Sequence, residues 1–324
     1  MKKIIALVLS AVMALSLVAC GGETVESHEL KMGHVLGAAH GTKCFASVTA
    51  VVEGDKVVAA KIDEYQFMSG DELKSVPNAE NYAANLAEGV KLVSKRVDTE
   101  VYSAKMAAAG STVAIDKNYD AIEAHVAGKT IAELEAEIAG EMAADAVAGA
   151  TLVDCAGYIG VVVEAAKAAQ AQEAVVYEGS LDALTLKYGL GAAHGTKCFA
   201  EVAVLTDGTN VVLAFIDEYQ FMSGDELKSV PNAENYAANL AEGVKLVSKR
   251  VDTEVYSAKM AAAGSTVAID KTTMLSRHTL LVKQSQTWKQ KSLAKWQQTL
   301  LQVLHWLTVQ VTSVLSLTLL KLNL

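Results

Sequence analysis

The sequence predicts an α+β protein: a small antiparallel sheet packed by helices, present once as a complete domain and once as a truncated repeat. Three observations predict it. A long stretch of chain occurs twice at an offset of 154, with residues 38–45 returning as 192–199 and residues 62–117 returning unchanged as 216–271. Alternating β-formers fill 45–52 and 56–62 around Glu53-Gly54-Asp55, the pattern of a hairpin. Strong helix formers with apolar spacing follow over 78–96, 119–127, 130–139 and 154–170. A unit of about 140 residues is large enough to bury its own core.

The chain opens with Lys2 and Lys3, then an apolar run over 4–19 broken only by Ser10 and Ser16. A basic start and a short apolar stretch describe a secretory signal, too short for a convincing transmembrane helix. Its end, Leu17-Val18-Ala19-Cys20 before Gly21-Gly22, resembles the bacterial lipoprotein box. The resemblance implies a lipoprotein signal peptide over 1–19, with Cys20 lipidated as the mature N-terminus and holding the chain on a membrane. The alternative is an ordinary signal peptide with an incidental cysteine. A linker over 20–32 then leads to the complete domain, 33–172.

Within that domain the hairpin comes first. The helix expected over 78–96 takes Asn78 as its cap. Thr130-Ile131-Ala132-Glu133 is a capping box opening the helix over 130–139. The last helix, 154–170, is Ala-rich and apolar on one face. A second linker, 173–186, precedes the truncated copy, 187–271. Residues 46–61 and 200–215 diverge between the copies but keep strand-like alternation.

After Lys271 the repeat stops matching, yet a lawful relation persists. If each tail codon takes the last two bases of one repeat codon and the first of the next, Met142-Ala143 must give Trp, and Trp296 stands at offset 154. Glu141-Met142 and Glu135-Ala136 must give Lys or Arg, and Lys295 and Lys289 stand there. Residues 272–324 therefore read as the second copy out of frame, with no native domain of their own. They hold all 3 Trp and no Asp, Glu or Gly. A transmembrane helix within 300–322 is the rival reading, against which Gln302, His305, Gln310 and Lys321 argue.

Composition excludes several classes. With 52% hydrophobic and 20% charged residues the chain is too apolar to be disordered. A net charge of −9 argues against a general nucleic-acid binder. Beyond Cys20 three cysteines remain, Cys44, Cys155 and Cys198, with no CxxC, so no closed disulfide framework forms. Cys44 and Cys198 are equivalent repeat positions and read as small buried residues.

One constellation carries chemistry. Asp145-Ala146-Val147-Ala148-Gly149-Ala150-Thr151 lies directly before the last helix. It resembles the flavinylation motif of bacterial FMN-binding domains, which read Asp, two variable residues, Ser or Thr, Gly, Ala, then Ser or Thr. The resemblance, over 33–172, implies that Thr151 carries FMN through a threonyl phosphodiester installed from FAD by a separate flavin transferase. Gly149 and Ala150 would leave room for the phosphate and the transferase, and Asp145 matches the first position. Ala148 departs from the pattern, where a hydroxyl is usual. The family further implies a lipid-anchored electron carrier at the extracytoplasmic face of the cell membrane, fed by a membrane oxidoreductase, with no substrate pocket of its own. Two alternatives stand beside it. Thr151-Leu152-Val153-Asp154 also reads as a capping box, with Gly149 supplying a positive φ, in a loop that binds nothing. The chain also resembles membrane-anchored immunogen lipoproteins sharing the domain, which implies a non-flavin surface lipoprotein, ligand-binding or antigenic.

Other candidates are weaker. His40 and Cys44 recur as His194 and Cys198, but Gly41 and the following strand argue against a shared helix face. His34, a possible third ligand, becomes Tyr188 in the copy, so no metal is expected. Asp63-Glu64 and Asp217-Glu218 point to opposite faces of a strand and read as solvated charges. Gly110-Ser111-Thr112 reads as a turn, with a phosphate contact as the alternative.

Overall fold

The computed structural model describes residues 26–142, 146–192, 196–262, 264, 266 and 274–276. Cys20, Asp145, His194, His305 and most of the tail lie outside the described residues. The architecture is α+β, with two antiparallel sheets. In the first repeat β1 (Ser27–Gly37), β2 (Cys44–Glu53), β3 (Lys56–Ser69) and β4 (Val90–Ser94) form a meander edged by β5 (Val175–Glu178), in the order β4-β3-β2-β1-β5. Its helices are α1 (Ala79–Tyr82), α2 (Thr99–Ala108), α3 (Ile115–Val126), α4 (Ile131–Ala139) and α5 (Cys155–Gln170). The second repeat supplies β6 (Thr185–Gly191), β7 (Cys198–Thr206), β8 (Val211–Ser223), α6 (Ala233–Tyr236), β9 (Val244–Ser248) and α7 (Thr253–Ala262). In its sheet β7 lies between β6 and β8, and β8 also pairs with β9 and with β10 (Met274–Ser276).

The period-2 pattern of β2 decides which face goes where. Ala46, Val48, Ala50 and Val52 join Ile62 in a core closed by α3, α4 and α5. Phe45, with Tyr65 and Phe67, faces the other repeat. The hairpin between β2 and β3 turns at Gly54, whose φ of 62° suits a residue without Cβ. The α5 helix lies very close to the sheet because Gly33 has no side chain. A Cβ there would stand 2.2 Å from Ala169 N and 2.5 Å from Ala165 O.

The two sheets meet through equivalent surfaces. Phe67 stacks on Tyr236 at 4.6 Å and Tyr82 on Phe221 at 4.7 Å. Asn78 Nδ2 donates to Cys198 O at 2.7 Å, and Asn232 Nδ2 to Cys44 O at the same distance. Ala87 N donates to Asn239 O, and Ala241 N to Asn85 O. Every such pair exchanges residues 154 positions apart, so the contact is self-complementary, like a two-fold dimer interface enclosed in one chain. The opposite face of the second sheet, with Val202, Val204, Ala214 and Ile216, has no counterpart of α3–α5 among the described residues.

Several sequence expectations need correction. The stretch 78–96 is not one helix. Asn78 is left-handed (φ 67°), Leu86 is extended, Gly89 has φ 71°, and the segment ends as β4. Its apolar residues are spaced for two burials, Tyr82 and Leu86 against the partner repeat and Leu92 and Val93 in the sheet. The linker over 20–32 already contains the start of β1, and 173–186 contains β5, because the 175–178 segment pairs with β1 at its open edge. The α2 helix was not anticipated, and α3 begins four residues earlier than its periodicity suggests. The Thr130–Glu133 capping box forms as read.

Candidate functional site

The motif loop is fixed from below and open above. Val147 and Ala150 are buried, whereas Ala148, Gly149 and Thr151 are exposed. Gly149 has φ 87°, and a Cβ there would make only an ordinary 3.5 Å contact with Ala121. Backbone conformation, not space, therefore calls for glycine. The anchor beneath is Asn118, fully buried on α3. Its Nδ2 donates to Val113 O and Ala114 O at 3.0 Å each, leaving Oδ1 to accept Thr151 N at 2.6 Å. The Thr151 hydroxyl itself reaches only 3.5 Å contacts, with Asn118 Oδ1 and Ser111 Oγ. Both are longer than a good O–H···O bond.

The capping-box alternative does not form. The α5 helix starts at Cys155 with Asp154 as its N-cap, whose side chain makes no cap bond. Thr151 lies outside the helix with its hydroxyl uncommitted. Asp145, the first motif position, lies outside the described residues. Ser111, directly after the turn at 109–110, and Asn118 complete the site. Sequence reading raises Ser111 as a possible phosphate contact but misses Asn118. A buried asparagine inside a helix, where it is a poor helix former, was the available signal.

Loop 140–154 joins α4 to α5 beside a groove of about 760 Å³. Val35, Ile138, Gly160 and Val161 give it apolar walls, and Glu164 and Lys167 add charge. Ala139 before the loop and Gly157 after it both line the groove. Its size falls within the range of small-molecule sites.

A second cluster sits where α5 crosses β2 and β3. His40, Cys44 and Glu64 bring ligand-type atoms within 4.8 Å of one another. No shared helix is needed, because the irregular turn before β2, with Gly41 at φ 61°, brings His40 over Cys44. Glu64 supplies the third group, and His34 does not take part. Glu64 Oε2 accepts Tyr158 Oη at 2.9 Å and pairs with Lys95 Nζ. Burial pushes the Glu64 carboxyl up, but Lys95 and His40 outweigh it and hold it below the usual range. Burial, and then the Glu64 charge, push the Cys44 thiol up to about 12. Cys44, Cys155 and Cys198 are all buried, as expected of Cys44 and Cys198.

Asp63 and Glu64 do point to opposite faces, but neither is solvated, since both are fully buried. Each face is covered: Glu64 by α5, Asp63 by the second repeat. Tyr188 Oη donates to Asp63 Oδ2 at 2.7 Å. Nearby, Glu201 accepts Ser47 Oγ at 2.6 Å, Tyr219 Oη at 2.7 Å and Tyr65 Oη at 3.0 Å, with His34 Nε2 at 3.6 Å.

Comparison with protein-family models, curated proteins and solved structures finds no match.

Proposed function

We propose that this chain is a lipid-anchored extracytoplasmic flavoprotein that carries FMN covalently on Thr151 and passes electrons at the membrane surface. The observation that carries the reading is the Thr151 hydroxyl, exposed and committed to no cap, on a loop held by Asn118. The surroundings fit the group. Gly149 and Ala150 leave the hydroxyl accessible, and Ser111 Oγ, 3.5 Å away, would turn from Val113 O to donate to a phosphate oxygen. Ala148 is exposed, so alanine there takes nothing from the packing of the loop. In the transfer from FAD, Thr151 Oγ1 loses its proton and bonds to the FMN phosphorus, the pyrophosphate bond breaks, and AMP leaves.

Bound there, the flavin supplies the redox chemistry. The chain supplies position: Asn118 and Gly149 fix the loop. Cys20 provides the anchor. Six residues separate it from Ser27, at about 3.5 Å each when extended, so the domain stays near the bilayer and a membrane oxidoreductase that would reduce it. Among the described residues no helix is long and apolar enough to cross a membrane.

Co-expression with a flavin transferase, followed by a denaturing gel, tests the reading. The expected result is a fluorescent flavin band in the membrane fraction, dark in Thr151→Ala and moved to the soluble fraction in Cys20→Ser. A dark wild-type band would favour the non-flavin lipoprotein, in which the groove between α4 and α5 binds an apolar ligand.

A further inference from the structure

We propose that His40, Cys44 and Glu64 form a binding site for one divalent cation of the zinc type, in the first repeat only. The inference is independent of the flavin reading. Two buried atoms in the cluster have no hydrogen-bond partner, His40 Nδ1 and Glu64 Oε1. Buried polar atoms are nearly always satisfied, and an ion between these two would account for both. Lys95 and Tyr158 occupy Glu64 Oε2, which leaves Oε1 as the ligand atom and places a compensating positive charge behind the carboxylate. His40 Nδ1 stands 3.7 Å from Glu64 Oε2, beyond hydrogen-bond reach.

The other ring nitrogen is arranged as metal-bound histidines require. His40 Nε2 faces Asp154 Oδ2 at 3.5 Å, so a carboxylate stands beside the ring nitrogen that would not coordinate, where it would orient a metal-bound imidazole. A thiolate, an imidazole and a carboxylate suit zinc, and a fourth, water ligand completes a tetrahedron. Ligand atoms around one zinc lie about 3–4 Å apart, so the 4.8 Å spread closes by about 1 Å. His40, 39% exposed on an irregular turn, is free to make that movement and gives solvent access to the fourth position. Binding releases the Cys44 proton to water. The second repeat keeps Cys198 and Glu218, but Thr308 and Thr312 stand at the positions of Asp154 and Tyr158. At those sequence positions the second repeat therefore has neither a carboxylate nor a phenol.

The test is cobalt titration of the full chain, stripped with chelator and kept reduced. One Co²⁺ per chain is expected, with thiolate-to-cobalt charge-transfer absorption that Zn²⁺ abolishes. Cys44→Ser should lose the absorption band. His40→Ala, at a partly exposed side chain, should bind poorly while keeping its far-ultraviolet circular dichroism. Asp154→Asn should keep the band but bind about 10–100-fold more weakly, the usual effect of losing such a partner. Cys198→Ser should behave as wild type. No stoichiometric binding, a band that survives Cys44→Ser, or a band lost in Cys198→Ser would overturn the site.

Discussion

Thr151 and His34 differ in what their neighbours lose with them. Thr151→Ala removes an exposed hydroxyl with 3.5 Å contacts, so stability in urea should change by no more than about 0.5 kcal/mol while attached flavin disappears. His34→Ala removes the imidazole bonded to Ser47 Oγ at 2.8 Å beside buried Glu201, and the ring stacked on Phe215 at 4.2 Å, and should cost about 1–3 kcal/mol by the same measurement. The acid limb of stability follows from the same groups. Burial raises Glu201, but His34 and the donors Ser47 and Tyr219 outweigh it and hold its carboxyl below the usual range. A carboxylate depressed in the folded state stabilises above its unfolded pKa, and that stability is lost as pH falls through the folded value. Glu64 acts in the same direction. Burial raises Asp63 and Asp217, which oppose the trend. Urea melts at falling pH should show declining stability, with a shallower decline in Glu201→Gln. At this scale the sequence showed Thr151 and Gly149 as a motif. It could not show that Glu64 meets His40 and Cys44, because strand alternation says that Asp63 and Glu64 diverge but not what covers each face.

Helix and strand boundaries depend on close approaches that can be broken one at a time. Gly33→Ala places a Cβ against the α5 backbone, and Gly157→Ala places one 2.2 Å from Ala39 O. Each should destabilise by about 1–3 kcal/mol in chemical denaturation, the usual cost of overpacking. Thr130→Ala should cost about 0.5–2 kcal/mol, because its hydroxyl accepts Glu133 N and Glu133 returns a bond to Thr130 N. The capping box and the hairpin were legible because their causes are local. The segment 78–96 was not, because Tyr82 and Leu86 are apolar for the sake of a partner repeat, and their spacing only resembles a helical face.

The whole molecule is two copies of one sheet joined through their aromatic faces. Identical sequence gives identical local structure in both, down to left-handed Asn78 and Asn232. Divergence has made the contact heterotypic: Ser47 and His34 of the first repeat answer Glu201 and Tyr188 of the second, at equivalent positions. Tyr236→Ala should therefore loosen both repeats, lowering global stability by about 3–5 kcal/mol and speeding hydrogen exchange in the first repeat's Phe67 region as well as around residue 236. The repeat was fully legible from sequence, whereas its use as an internal partner was not, since self-similarity carries no information on which face is buried. The same repeat bears on stoichiometry. At the position of Thr151 the sequence has His305, in the tail that reads as the second copy out of frame. Intact mass of the full chain, co-expressed with a flavin transferase, tests the central claim most directly. One FMN less one water per chain is expected, none in Thr151→Ala, and a second equivalent when the frame is restored after Lys271. Two flavins on the unrepaired chain, or one that survives Thr151→Ala, would contradict the account.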